Sequence, residues 1–202
     1  MPSKFFKKSI EQIFCDNHKI IDIGGGLRIL KDRGNRYNPN NEWIAELLPH
    51  VNYMIMDPVS DYNPDLVGDI HDLPFKDNDV DAIICLSVLE HVVNPIKAFK
   101  EIYRVLKPGG HCLIYVPFLY YYHAEKSYYK DYWRFTDDIL VELSKPFSSY
   151  ELHNVRGALE TWIKISPLGR YSVFLYTASF CDKLFNKTNS KQTSGYDLFL
   201  TK

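Results

Sequence analysis

Ile20-Ile-Asp-Ile-Gly-Gly-Gly26 decides the architecture of this chain. Apolar β-formers alternate around Asp22 and run straight into three glycines. The pattern is a buried strand ending in a loop whose backbone comes close to a ligand. Glycine permits both the tight turn and the close approach, because it has no Cβ to obstruct either. An acidic side chain at the strand tip, beside exposed backbone N–H groups, suits a ligand carrying both positive and negative charge.

Outward from this stretch, strands and helices alternate. Phe6, Ile10, Ile13 and Phe14 predict an amphipathic N-terminal helix before a strand at about Lys19–Ile23. Residues 27–40 read as a long polar loop, and a short helix at about Glu42–Leu48 stops at Pro49. Further strands are expected at Tyr53–Met56, Asp65–Gly68 and Val80–Leu86. Asn94 and Pro95 are a cap and first position for a helix whose apolar stripe is Ile96, Phe99, Ile102, Tyr103 and Leu106. Pro108-Gly-Gly110 ends it, and His111–Val116 is the next strand. Thr136-Asp-Asp138 reads as a helix N-cap with an acidic first turn. Near the end, Tyr150–Val155 and Tyr196–Thr201 read as strands. Between them Val173, Phe174, Thr177, Phe180, Cys181, Leu184 and Phe185 recur at helical spacing, a stripe expected to be core or a dimer contact. The whole is α/β: a parallel sheet covered on both faces.

Composition narrows the function classes. At 202 residues the chain suits one domain, and 46% hydrophobic with 24% charged residues makes it globular. A net charge of -1 argues against a nucleic-acid binder that works by bulk electrostatics. No apolar run approaches a membrane span, and the basic N-terminus soon meets Glu11, Gln12 and Asp16, so it is not a signal peptide. Cys15, Cys85, Cys112 and Cys181 form no C-x-x-C pair and read as reduced thiols, so a cytoplasmic location is expected. No H-e-x-x-H or clustered Cys and His suggests a metal. Tyrosine, at 15 residues, is dense enough to suggest a binding surface.

In an open α/β sheet, ligands bind beyond the carboxyl ends of the strands. Those ends carry Gly24, Gly25 and Gly26; then Asp57-Pro58, suited to a ribose diol; then Asp69-Ile70, suited to an adenine edge and face; then Leu86-Ser87 ahead of Leu89-Glu-His91. A dinucleotide fingerprint counted from Gly24 would need glycine where Ile29 stands, so that ligand class fails. A nucleotide-dependent oxidoreductase is disfavoured on the same ground.

Asp69-Ile-His-Asp-Leu-Pro-Phe75, Asp79-Val-Asp81, Leu89-Glu-His-Val92, Pro95 and Glu101-Ile-Tyr-Arg-Val-Leu-Lys-Pro-Gly-Gly110 follow the glycine loop in order. Over about half the chain, Ile20 to Pro117, this series resembles the class I S-adenosylmethionine-dependent methyltransferases, of the type 11 kind. The resemblance implies a Rossmann-like, seven-stranded, mostly parallel sheet with helices on both faces and a C-terminal antiparallel strand. It implies S-adenosyl-L-methionine as cofactor and S-adenosyl-L-homocysteine as product. Asp22 and the glycines are then expected to hold the methionine end, Asp57 and Pro58 the ribose, and Asp69 and Ile70 the adenine. Leu86 and Ser87 face the sulfonium. The chain departs from the family at Arg28, where the glycine loop usually has a third spaced glycine. Arg28, Arg33 and Arg36 read as a solvated loop or an anion clamp.

Val116-Pro-Phe-Leu-Tyr-Tyr-Tyr-His-Ala124 and Lys130-Asp-Tyr-Trp-Arg-Phe-Thr136 are similar to a subgroup associated with bacterial surface-polysaccharide and secondary metabolism. This places a substrate-side segment at about 117–136 and a helical insertion at about 158–187 in a single domain. A hydroxyl acceptor benefits from a general base, and His123 is the expected one. Tyr122, Asp131, Tyr132 and Arg134 are the expected substrate contacts: Asp131 orients His123 or binds the acceptor, and Arg134 meets an anionic group. Each has a plainer reading: His123 as a loop histidine, Arg134 as an internal ion pair with Asp131 or Asp137, the tyrosines as packing. The expected function is O-methylation of a small or sugar-like acceptor, glycan or secondary metabolite, by a monomer or homodimer. The alternative is a non-catalytic cofactor-binding regulatory or partner subunit. No nucleic-acid partner is expected: no Asn-Pro-Pro-Tyr follows the fourth strand and no Pro-Cys pair occurs. Peripheral membrane contact is the lesser reading, since only Arg170, Lys183 and Lys187 supply positive charge to the tail helix.

Overall fold

The computed structural model describes residues 3–16, 18–32 and 37–202; Arg33 and Arg36 lie outside the described residues. Seven strands, β1 (Lys19–Ile23), β2 (Asn52–Asp57), β3 (Leu66–Val67), β4 (Val80–Leu86), β5 (Leu106–Pro117), β6 (Ser149–Asn154) and β7 (Gly195–Thr201), form one sheet in the order β3-β2-β1-β4-β5-β7-β6. The pairs from β3 to β5 are parallel, and β7 runs antiparallel to both β5 and β6. This is the expected mostly parallel sheet with a C-terminal antiparallel strand. Strand order reverses between β1 and β4, so their carboxyl ends open a crevice.

Alternation builds the two layers. On β4, Ala82 and Ile84 join Ile20, Leu113 and Phe199 against Ile10, Ile13 and Phe14 of α1 (Lys4–Asp16). Ile83 and Cys85 point the other way, joining Ile21, Cys112 and Ile114 against Phe99, Ile102 and Val105 of α2 (Pro95–Val105) and Leu140 of α3 (Asp137–Ser144). Two-residue periodicity is what lets one strand feed both cores. Both helix caps form: the Asn94 side chain accepts from Lys97 N at 3.0 Å, and Thr136 Oγ1 from Ile139 N at 3.5 Å.

Four local expectations change. The expected helix at Glu42–Leu48 is a 3₁₀ helix, Pro39–His50, capped by the Asn38 side chain and carrying Pro49 inside it. Ile96 faces solvent, because the inward stripe of α2 is Pro95, Ala98, Phe99, Ile102 and Val105. β5 begins at Leu106, which pairs with Val80; the next pair is Ala82 with His111, so 107–110 bulge out of the ladder rather than preceding the strand. The largest change is in the tail. Segment 158–187 contains α4 (Ala158–Ile165) and α5 (Ser172–Leu184), and the α5 stripe expected to be core or a dimer contact is not core: it points outward. The inward residues of α5 are Ala178 and the charged Asp182, which accepts from Leu159 N and Glu160 N, both at 2.9 Å, at the start of α4.

Candidate active site

Burial of Asp22 at the end of β1 organises the glycine loop. Its Oδ1 accepts from Gly26 N at 2.9 Å, and its Oδ2 from Leu27 N at 3.0 Å and the Tyr53 hydroxyl at 2.6 Å. Burial pushes its pKa up to about 6 despite these three donors. Asp22 therefore braces the loop from behind and does not line the cavity in front of it. Glycine is needed on the cavity side. Gly24 has φ +79°, and a Cβ there would sit 2.5 Å from Val88 Cγ2; at Gly26 it would sit 2.7 Å from Leu86 Cβ.

The crevice holds a cavity of about 320 Å³. Gly24, Gly26, Asp57, Pro58, Asp69, Ile70, Leu86 and Ser87 all line it, so the strand tips singled out in the sequence converge on one space. Gly25 lines a smaller recess next to it, together with Arg28 and Tyr62. Asp57 is buried and accepts from Val59 N at 2.8 Å. Asp69 Oδ1 accepts from His71 N at 2.9 Å and lies 2.6 Å from the His71 ring. Ser87, with φ +56°, donates its N–H to Tyr115 O at 3.1 Å, which fixes the turn at the end of β4. Arg28 also takes a left-handed φ, +54°, and stands exposed at the cavity rim.

The opposite wall is the segment from Pro117 to Thr136. It is pinned to the turn after β4: Tyr132 N and Trp133 N donate to Glu90 O at 2.7 and 3.2 Å, and Trp133 Nε1 to Val92 O at 2.9 Å. Tyr128 roofs the cavity, packing at a tilt against Tyr62 with ring centroids 5.2 Å apart and donating to Asp61 Oδ2 at 3.1 Å. Tyr120, Tyr128 and Tyr129 line the cavity; Tyr122 and Tyr132 are exposed outside it.

Beneath this wall lies a charged centre that reading the sequence overlooked. Glu90 is fully buried, and neither of its carboxylate oxygens has a hydrogen-bond partner. Oε1 lies 3.5 Å from His123 Nε2 and 3.8 Å from His91 Nε2. His91 Nδ1 is 2.7 Å from Lys130 O, and His123 Nδ1 is 3.1 Å from Tyr121 O. A carbonyl only accepts, so both Nδ1 atoms carry the hydrogen and both Nε2 lone pairs face Glu90. Three acceptors thus converge within 4.8 Å of one another, an arrangement that calls for a cation among them, whether a proton or a metal ion. The neighbouring Glu90 carboxylate raises the pKa of His123.

Asp131 and Arg134 complete the wall from behind. Arg134 donates to both Asp131 oxygens, at 2.6 and 2.8 Å, and to the carbonyls of Tyr120, Tyr121 and Trp133. These bonds hold the Asp131 pKa down at about 2. Asp131 in turn accepts from His123 N at 2.8 Å, so the pair sets the backbone that carries His123. Neither residue lines the cavity.

The matched family model, described as a methyltransferase domain, covers residues 50–114. The ubiquinone/menaquinone biosynthesis C-methyltransferase UbiE of Vibrio cholerae is 28% identical over 144 residues, 67% of this chain and 48% of that protein. The chain thus spans about half the length of the curated relatives it matches. A SAM-dependent methyltransferase from Archaeoglobus fulgidus superposes with a TM-score of 0.61 at 13% identity, over 98% of this chain and 92% of the other. Haemonchus contortus phosphoethanolamine N-methyltransferase 2, solved with phosphomonomethylethanolamine and S-adenosylhomocysteine, gives 0.53 at 15% identity, over 98% and 52%. At such identities the likeness is one of fold.

Proposed function

We propose that this chain, a class I S-adenosylmethionine-dependent methyltransferase by its fold and its matched central segment, methylates an oxygen of a small or sugar-like acceptor, of the glycan or secondary-metabolite kind. The residues fit the donor. Gly24 and Gly26 line the cavity, and a Cβ at either would collide with Val88 or Leu86 and push the loop out of place, so the backbone here can approach the methionine end closely. Asp57 supplies an acceptor for a ribose diol, and Asp69 with buried Ile70 supplies an edge and a face for adenine. S-adenosylmethionine, when bound, supplies a methyl group already activated by its sulfonium, so the protein's task is alignment and exclusion of water.

The chain's own chemistry lies on the opposite wall. His123 lines the cavity beside Glu90 and takes the proton of the acceptor hydroxyl as the oxygen gains its methyl group. Glu90, buried and otherwise unpartnered, stabilises the imidazolium that results. The proton is then the cation that the cluster lacks. Asp131 and Arg134 fix the position of His123. The tyrosine wall offers flat apolar faces with polar tips, which suits a sugar ring.

The observation that carries this reading is one cavity with donor-type strand tips on one side and His123 over a buried Glu90 on the other. Calorimetry with S-adenosylhomocysteine, followed by transfer of labelled methyl to a panel of nucleotide-sugars and glycans, tests it. Binding and O-methylated product are expected. No binding at millimolar product overturns the reading, and label found on carbon or nitrogen overturns the assignment to oxygen.

A further inference from the structure

We infer that the α4–α5 hairpin is a docking surface for an anionic phospholipid bilayer. Val173, Tyr176, Phe180 and Leu184 lie at i, i+3, i+7 and i+11 on α5, and are 63, 74, 65 and 67% exposed. Trp162 and Ile165 on α4, with Leu168 and Tyr171 between the helices, extend the exposed apolar surface. Scattered exposed apolar residues need no explanation, but a contiguous face of this kind marks an interaction site.

The charges select the occupant. Segment 158–187 carries two acids, Glu160 and Asp182, and four cations, Lys164, Arg170, Lys183 and Lys187. Both acids are engaged inside the fold. Asp182 is buried and binds the α4 N-terminus, and Glu160 lies 3.4 Å from Arg156. None of the four cations has a carboxylate partner among the described residues; Arg170 lies over the Tyr171 ring at 4.7 Å. The hairpin therefore offers the bilayer an exposed apolar and aromatic surface on a segment whose unpaired charges are all positive. A second copy of the same face would meet it with like charge, whereas anionic head groups with acyl chains beneath them match both features. The hairpin is also held rigidly. Asp182 ties its helices together, and Gly157 leaves room for that carboxylate where a Cβ would collide with it.

Topology gives the face a purpose. The segment leaves β6 after Asn154, opposite Tyr196, and enters β7 at Gly195, opposite Pro117. Both ends thus lie at the sheet edge where β5 delivers the cavity wall. No helix among the described residues is long and apolar enough to cross a membrane, so the contact is one of surface seating.

Co-sedimentation of the full chain with vesicles tests this. One set is phosphatidylcholine alone and the other is equal parts phosphatidylcholine and phosphatidylglycerol. Binding to the anionic set alone is expected, weakening as salt rises. The variant Y176S/F180S/L184S is expected to bind at least tenfold less. In K183Q/K187Q, which leaves the apolar face intact and so guards against a folding artefact, each lost charge is expected to weaken binding about fivefold. S-adenosylhomocysteine affinity, measured on the same preparations, is expected to be unchanged in both variants. Lack of that affinity in the unsubstituted protein would count against the methyl-donor reading and leave the vesicle result standing. Absence of vesicle binding, equal binding to both sets, or undiminished binding by both variants overturns the proposal. So does a dimer in light scattering that Y176S/F180S/L184S converts to monomer while the unsubstituted protein ignores vesicles; that result would assign the face to a second copy.

Discussion

The two walls of the cavity are built from different materials. The donor-side wall combines bare backbone with strand-tip side chains: Gly24 and Gly26 on the floor, Asp57, Asp69 and Ile70 beside them, and Asp22 behind, spending both oxygens on loop N–H groups and a tyrosine. The acceptor-side wall is made of charged and aromatic side chains brought from far apart in sequence, Glu90 and His91 beneath residues 117–134. The first wall is shaped to admit one ligand by approach. On the proposed reading, the second moves a proton. If this division is real, substitutions on one side alter donor affinity and those on the other alter turnover, with little crossing over.

The sharpest way to break that division is at His123. His123→Ala is expected to lower kcat by about 10²–10⁴-fold, the usual worth of a general base, with S-adenosylhomocysteine affinity unchanged by calorimetry. Equal loss of both would make His123 a structural residue. Glu90→Gln separates the partners by pH. The base must be neutral to act, so kcat/KM falls as pH drops through the His123 pKa, which Glu90 holds above the ordinary imidazole value. Removing the carboxylate's charge is expected to move that acidic limb to lower pH while reducing the plateau. If a proton and not a metal ion is shared in the cluster, as proposed, dialysis against a chelator is expected to leave turnover within twofold. A larger loss, restored by one divalent ion, would replace the base with a metal.

The same contrast explains what could be read in the sequence. Ile20–Gly26, Val80–Leu86 and the capped helix at Asn94 speak through nearest-neighbour chemistry, so the sheet and the donor-side tips were legible. The acceptor wall depends on distance in space. Leu89-Glu-His91 stands directly after a strand tip, which is a signal. The weight of Glu90 comes from its burial under a segment some thirty residues on, and no local pattern encodes that. The core reading of the tail stripe gave way for a related reason, while its dimer-contact alternative stays open. A helical stripe of Val, Phe and Leu reports amphipathicity but not which face the fold covers, and here Ala178 and Asp182 face inward.

Next in size is the brace behind His123. Arg134→Met leaves the Asp131 carboxylate, fully buried in its side chain, without its bidentate partner. Breaking such a pair is expected to cost about 3 kcal/mol of stability, seen as a lower Tm and denaturant midpoint. The pH dependence has a definite sign. A carboxylate held at about 2 contributes stability that is present above its unfolded value and lost as pH falls towards 2. The variant's acid unfolding is therefore expected to begin at higher pH. An unchanged acid limb would mean that the pair contributes nothing net. On the donor side, Gly26→Ala places a Cβ 2.7 Å from Leu86 Cβ and 3.0 Å from its carbonyl oxygen. Overpacking of this kind costs about 1–3 kcal/mol. If the loop relieves it by moving into the cavity, donor affinity falls about 10–100-fold while pre-bound complexes turn over normally.

Arg28 gives the smallest effect and tests whether the glycine loop meets the donor through backbone alone. Its left-handed φ of +54° is strained for a residue with a Cβ, by roughly 1 kcal/mol, and glycine removes that strain. Glycine also gives the unfolded chain more freedom, which returns about 0.5–1 kcal/mol in the opposite direction. Arg28→Gly is therefore expected to leave stability unchanged or raise it by under about 1 kcal/mol, a Tm rise of a few degrees at most. The guanidinium at the rim is exposed, and an exposed charge contact is worth at most about 1 kcal/mol, so donor affinity is expected to fall less than about fivefold. The two quantities separate because strain acts on the fold and charge acts on the ligand. A loss of affinity beyond tenfold would add a cationic side chain to the donor wall and narrow the contrast between the two sides. An unchanged affinity with a higher Tm would leave the glycine loop's part of that wall to the backbone.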